Sequence, residues 1–222
     1  MRKIICFLFV LSCSLWVMAD DDLSPNGKEP KPKSKAEAEA RQRLKDIMEE
    51  AFRLHCQWGK DIEHDDSDSI NIYDYPVCQK IDDLDRRYCS DDWNKLKNAV
   101  DSIDSKLPED EQGYWDAGYW IKGQGVYCCT FGKIVKVKRE GNNKLFIVYS
   151  YDAVESIFEG IDESGNEIWN DYPLVYYATA AVNMVYERGN WYIDDFYERY
   201  EDEEEIMESC KIGMKAYLNN PY

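Results

Sequence analysis

Leu44, Ile47, Met48, Ala51, Phe52 and His55 recur three and four residues apart, with mostly charged residues between them. That spacing lays the apolar positions along one face of a helix. "SKAE" at 34–37 is a capping box, with Ser34 at the cap and Glu37 reaching back. An amphipathic helix is therefore predicted over 35–58, followed by a charged loop, "KDIEHDDSDS" (60–69). Ile81, Leu84 and Tyr88 mark a short second helix. Ser90 caps a third, with Asp91 and Asp92 favourably placed in its first turn. Trp93, Leu96, Val100, Ile103 and Leu107 form the stripe of that helix, and Pro108 with "EDEQG" ends it.

Beyond this point the period falls from about 3.6 to two. "GKIVKVKRE" (132–140) alternates, "GNN" turns and "KLFIVYSYDA" (144–153) returns, which predicts a hairpin. "EGIDESGNEIWNDYP" (159–173) reads as a turn-rich connection. "LVYYATAAVNMVYE" (174–187) reads as a long strand, "RGN" as a turn and "WYIDDFYE" (191–198) as its partner. A final helix is predicted over 202–219, presenting Ile206, Met207, Cys210, Met214 and Tyr217. Helices followed by an antiparallel meander make an α+β fold: N-terminal helices packed on a curved antiparallel sheet, a cone, with a C-terminal helix. No repeat is present, so 34–222 is expected to be a single domain.

The first residues change the compartment. Arg2 and Lys3 precede an almost wholly apolar run from Ile4 to Met18, and Val17 and Ala19 are small residues at the positions read for cleavage. The run is too short for a membrane span and reads as a signal peptide over 1–19, cut after Ala19, giving a periplasmic or extracellular protein. The alternative is an envelope lipoprotein with a lipid anchor at Cys13. Residues 20–33, "DDDLSPNGKEPKPK", read as a flexible polar tether. No other run approaches membrane length.

The formal charge is −17, and loss of Arg2 and Lys3 takes it to −19. Such a surface repels nucleic acid and anionic lipid and favours cationic partners. Six cysteines follow the signal peptide: Cys56, Cys78, Cys89, Cys128, Cys129 and Cys210. An even number in an exported chain points to disulfides, with Cys56–Cys78 the first candidate pair. No CxxC spacing supports a zinc ribbon or a redox pair. "EHDDSDS" (63–69) lacks the Gly and terminal Glu of a calcium loop, and two histidines cannot make a His-based zinc set. No GxSxG turn or phosphate loop occurs, so no metal or cofactor is implied.

The densest chemistry lies in "GYWDAGYWIKGQGVYCC" (113–129). Asp116, Tyr119, Trp120 and Gln124 have the groups to stack on a ligand and hydrogen-bond it, or else to plug the end of the core. Tyr149 and Tyr151 fall on one face of their strand, where they either line a pocket or pack on helices. Asp194 and Asp195 alternate to opposite faces of their strand, so they do not easily share one substrate.

Three segments resemble an established pattern: "YCSDDWNKLKN" (88–98), "DAGYWIKGQ" (116–124) and "NWYIDDF" (190–196). They are similar to the nuclear-transport-factor-2-like, cystatin-like cone superfamily, and within it to the YbjP-like bacterial exported domain of unknown function. Gly118 and Gly125 stand where that pattern carries acidic residues. The resemblance implies a cone fold and an envelope location but no set activity, because the superfamily holds both enzymes and binding modules. The expectation is a non-catalytic binding module for a small molecule or a cationic protein. The alternatives are an isomerase- or dehydratase-type enzyme using a carboxylate in the cone, and an acidic inhibitor or immunity-type protein.

Overall fold

The computed structural model describes residues 28–63, 76–108, 119–120, 127–162, 164–165, 167–173, 178–199 and 207–219. Three helices come first: α1 (Lys35–Glu63), α2 (Pro76–Tyr88) and α3 (Asp91–Asp104). Five strands follow, β1 (Tyr127–Arg139), β2 (Lys144–Ile161), β3 (Glu167–Pro173), β4 (Ala178–Glu187) and β5 (Asn190–Arg199). A short β6 (Met207–Ser209) then leads into α4 (Cys210–Asn219). The fold is α+β, with the N-terminal helices packed on a curved antiparallel sheet and a helix at the C-terminal end.

Of the predicted stripe of α1, Leu44, Ile47, Met48, Ala51 and Phe52 lie in the main core together with Ala40 and Leu54, while His55 is only partly exposed and burial lowers its pKa to about 4. Ser34 accepts from the Glu37 amide at 3.1 Å, as a capping box requires. Glu37 reaches back one residue further than expected and accepts from the Lys33 amide at 3.1 Å. Arg41, also buried, donates to the Pro30 carbonyl and to Glu37, and lies 3.7 Å from Glu29. Glu29 and Pro30 thus lie against the helix.

The sheet runs β1-β2-β4-β5-β6, and β3 pairs with the far half of β2. Leu145, Ile147, Tyr149, Val182, Met184, Trp191, Ile193 and Phe196 face the helices. Two irregularities in β1 bend it. At the first, Gly132 lies against Ser150, where a Cβ would come within 2.9 Å of the carbonyl oxygen. A hairpin turn at Arg188 and Gly189 joins β4 to β5, and both residues have positive φ, +50° and +79°. A two-residue turn of this hand matches the twist of the strands it joins.

Several expectations are corrected. α1 continues to Glu63, so residues 60–63 are helix rather than loop. Residues 167–173 form β3 rather than a connection, because they pair with 154–161 of β2 despite their polar composition. Met207–Ser209 is a strand, not helix, since it completes the edge beside Tyr197–Arg199, and α4 starts only at Cys210. The disulfide joins Cys56 to Cys128, with 4.6 Å between their Cα atoms, instead of Cys56 to Cys78. α1 lies along β1, which brings Cys56 to the start of that strand, while Cys78 is buried near the start of α2. Cys129, the neighbour of Cys128, keeps its thiol and packs on the main core.

Candidate functional site

The joint between α2 and α3 is stitched to the sheet. Cys89 forms a parallel bridge with Ile193, and the Ser90 amide donates to the Ile193 carbonyl at 2.8 Å. Asn94 donates from Nδ2 to the carbonyls of Asp85, Cys89 and Ser90, closing the end of α2. Ser90 caps α3 as expected, its Oγ accepting from the Trp93 amide at 3.0 Å. These contacts fix two buried carboxylates, Asp85 and Asp194, on either side of one joint.

Asp85 meets the Tyr119–Trp120 pair. Trp120 donates from Nε1 to Asp85 Oδ1 at 3.0 Å, Tyr119 donates its hydroxyl to Oδ2, and the Cys89 thiol donates at 3.6 Å. Aromatic rings close over the group: Phe196 lies 4.9 Å from Trp93, 4.9 Å from Trp120 and 5.0 Å from Tyr119, centroid to centroid. Burial raises the Asp85 pKa above the ordinary carboxylate value, although the three donors and Lys97 pull the other way. Burial and the neighbouring carboxylate also push the Tyr119 hydroxyl well above its usual range, so it keeps its proton.

Tyr149 and Tyr151 do share a face, and with Phe52, Tyr119, Trp120 and Phe196 they surround one cavity. Its volume is about 10 Å³, room for about one water molecule. Phe131 stacks on Tyr149 at 5.4 Å, and Tyr149 donates to the sulfur of Met48 at 3.7 Å. Burial raises the Tyr151 hydroxyl to about 12. Four of the six candidate ligand residues thus converge. Asp116 and Gln124 lie outside the described residues.

Asp194 sits at an irregularity in β5, where Ile193 and Asp195 oppose the neighbours Met184 and Asn183 of β4. The extra residue overrides simple alternation, and both aspartates engage the start of α4. Asp194 accepts from Lys211 Nζ at 2.7 Å, Lys144 Nζ at 2.9 Å and Ser90 Oγ at 2.6 Å. Asp195 accepts from the Lys211 amide at 3.0 Å and from Ser209. Burial works against the Asp194 charge, but Lys211, Ser90 and Lys144 outweigh it and hold the pKa below the ordinary value. Asp195, buried without a cation on its carboxylate, is pushed up to about 6.

Asp85 was not among the residues singled out from the sequence, although its position carried a signal. Ile81, Asp85 and Cys89 follow at four-residue spacing, so a polar residue had to enter the buried face of α2. Nothing in the spacing named its partners. A second space opens toward the β1–β2 turn, a groove of about 240 Å³ floored by Leu145 and Trp191. Among the described residues, no group of three or more His, Cys, Asp or Glu is placed to hold a metal, and no helix is long and apolar enough to cross a membrane. No family model, curated protein or solved structure matches this chain.

Proposed function

We propose that the chain is an exported, non-catalytic binding module of the nuclear-transport-factor-2-like kind. In this reading residues 1–19 direct export, cleavage follows Ala19, and the domain works in the periplasm or outside the cell. The observation that carries it is how little space the described residues leave beside the aromatic cluster. A cone enzyme of the isomerase or dehydratase type needs a carboxylate facing a substrate-sized space. Asp85, a buried carboxylate beside a tyrosine, already accepts three hydrogen bonds, from Tyr119, Trp120 and Cys89. The space beside the aromatic cluster admits about one water. Among the described residues, more room is found in the groove by the β1–β2 turn, about 240 Å³.

The test is native mass spectrometry of the mature protein, purified without reductant from the envelope of its own host. A bound mass that leaves on denaturation is the expected result. A bare chain would overturn the small-molecule reading, and turnover abolished by Asp85→Asn would overturn the non-catalytic one.

A further inference from the structure

The groove has a distinctive lining for a molecule of charge −17. Its floor is apolar, made by Leu145 and Trp191, both 5% exposed. Its rim carries Lys33, Ser34, Arg139 and Asn142. Arg139 is braced at the rim, donating from Nε to the Gly141 carbonyl at 2.8 Å and from Nη2 to the Asn142 carbonyl at 3.2 Å. Glu37 also lines the groove, but its carboxylate is already taken by Arg41, at 2.5 Å, and by the Lys33 amide. What remains for a visitor is two exposed cations beside an indole. The Trp191 Nε1–H is buried and has no hydrogen-bond partner, which is unusual for a buried indole.

We propose that this groove binds a flat aromatic carboxylate, its ring against Trp191 and Leu145 and its anionic head between Arg139 and Lys33. The assignment rests on the binding-module reading and names its ligand class. The volume, slightly below the usual range of about 300–1,000 Å³ for small-molecule pockets, suits one or two fused rings. Leu145 and Trp191 offer a small apolar contact, and charge-assisted hydrogen bonds to Arg supply orientation and the larger share of the attraction.

The experiment titrates the full mature protein with naphthoate while following the indole N–H resonances, with Trp191→Phe identifying the Trp191 signal. A saturable shift at Trp191 is expected. Arg139→Gln should weaken binding about ten-fold, as loss of one charge-assisted contact implies, and Lys33→Gln should weaken it by a smaller factor. The uncharged naphthalenecarboxamide should bind about ten-fold more weakly than the acid. Both rim side chains are exposed, so neither variant threatens the fold. No saturable shift, equal binding of the amide, or an Arg139→Gln variant that binds normally would each overturn the assignment. Catalytic turnover by a protein whose Trp191 still titrates with naphthoate would overturn the non-catalytic reading and leave the groove standing. An envelope ligand seen by mass spectrometry without any Trp191 response would do the reverse.

Discussion

Asp85 and Asp194 are the same residue type, buried to nearly the same degree, 7% and 6% exposed, on either side of one helix joint. Their surroundings send them in opposite directions. Asp85 is met by a phenol, an indole and a thiol, all neutral, and burial prevails. Asp194 is met by two ammonium groups and a hydroxyl, and the charged form prevails. Removal from water costs the carboxylate in both places. The difference is that two ammonium groups hydrogen-bond the Asp194 carboxylate, whereas Lys97, acting on Asp85, does not outweigh burial. One centre locks the aromatic pair Tyr119–Trp120 to α2. The other locks α4, and through Ser90 the start of α3, to β5.

Both centres are expected to unfold as one cooperative unit. The strongest challenge is the disulfide, which spans 72 residues from α1 to β1. Its removal in a Cys56→Ser, Cys128→Ser double variant should cost about 4 kcal/mol by loop entropy. Urea unfolding should remain a single transition by fluorescence and circular dichroism. Two separated transitions would split the centres into independent units. Next in size, Asp194→Ala leaves Lys211 buried with only Asp92 as partner. It should cost about 3 kcal/mol, read as a lower urea midpoint with an unchanged slope.

The pH profile separates the two centres by sign. Asp85 and Asp195 have raised folded-state pKa values, so folding takes up protons and stability falls as pH rises from the ordinary carboxylate value toward about 6 for Asp195. Asp194 is lowered, so its contribution is complete above the ordinary value, near about 4, and disappears as pH falls through the folded one. Between pH 4 and 7 Asp195 should therefore remove stability equivalent to about 2 kcal/mol, while His55, kept neutral by burial with its pKa lowered to about 4, should add about 3 kcal/mol as pH rises toward 6.5, leaving urea midpoints nearly level. Asp195→Asn should turn the level profile into a rise of about 2 kcal/mol, and an unchanged profile in that variant would remove Asp195 from the account. The smallest effect is expected from Tyr119→Phe, about 1 kcal/mol for one lost hydrogen bond to a buried acceptor. It should raise the Asp85 pKa further, as followed by carboxyl carbon NMR.

The helices were largely legible because each carries its own signal. Ser34 and Ser90 cap as their sequences say, and Trp93 and Val100 are buried where the stripe puts them. The Arg188–Gly189 turn was equally local. What could not be read was whatever depends on a distant partner. "EIWNDYP" has the composition of a turn and becomes β3 only because β2 is long enough to pair with it. Met207 sits after a run of glutamates that favours helix, yet pairing with Arg199 makes it strand. Cys56 has no sequence feature that selects Cys128 over Cys78. Tyr119 and Trp120 were found by composition, whereas Asp85, the atom set they serve, needed the fold. Asp194 and Asp195 were seen, but the irregularity that turns both toward α4 was not.

β2 pairs with β1 along 145–155, while its other side takes β4 over 144–151 and then β3 over 154–161. Its amides are therefore guarded unequally. Ile147, Val148 and Tyr149 lie between two strands and against packed side chains on both faces, whereas residues 157–161 pair, among the described residues, with β3 alone. Deuterium from solvent should accordingly enter this one strand as a gradient: within the time of local fraying at the β3 end, and only on global opening at its centre.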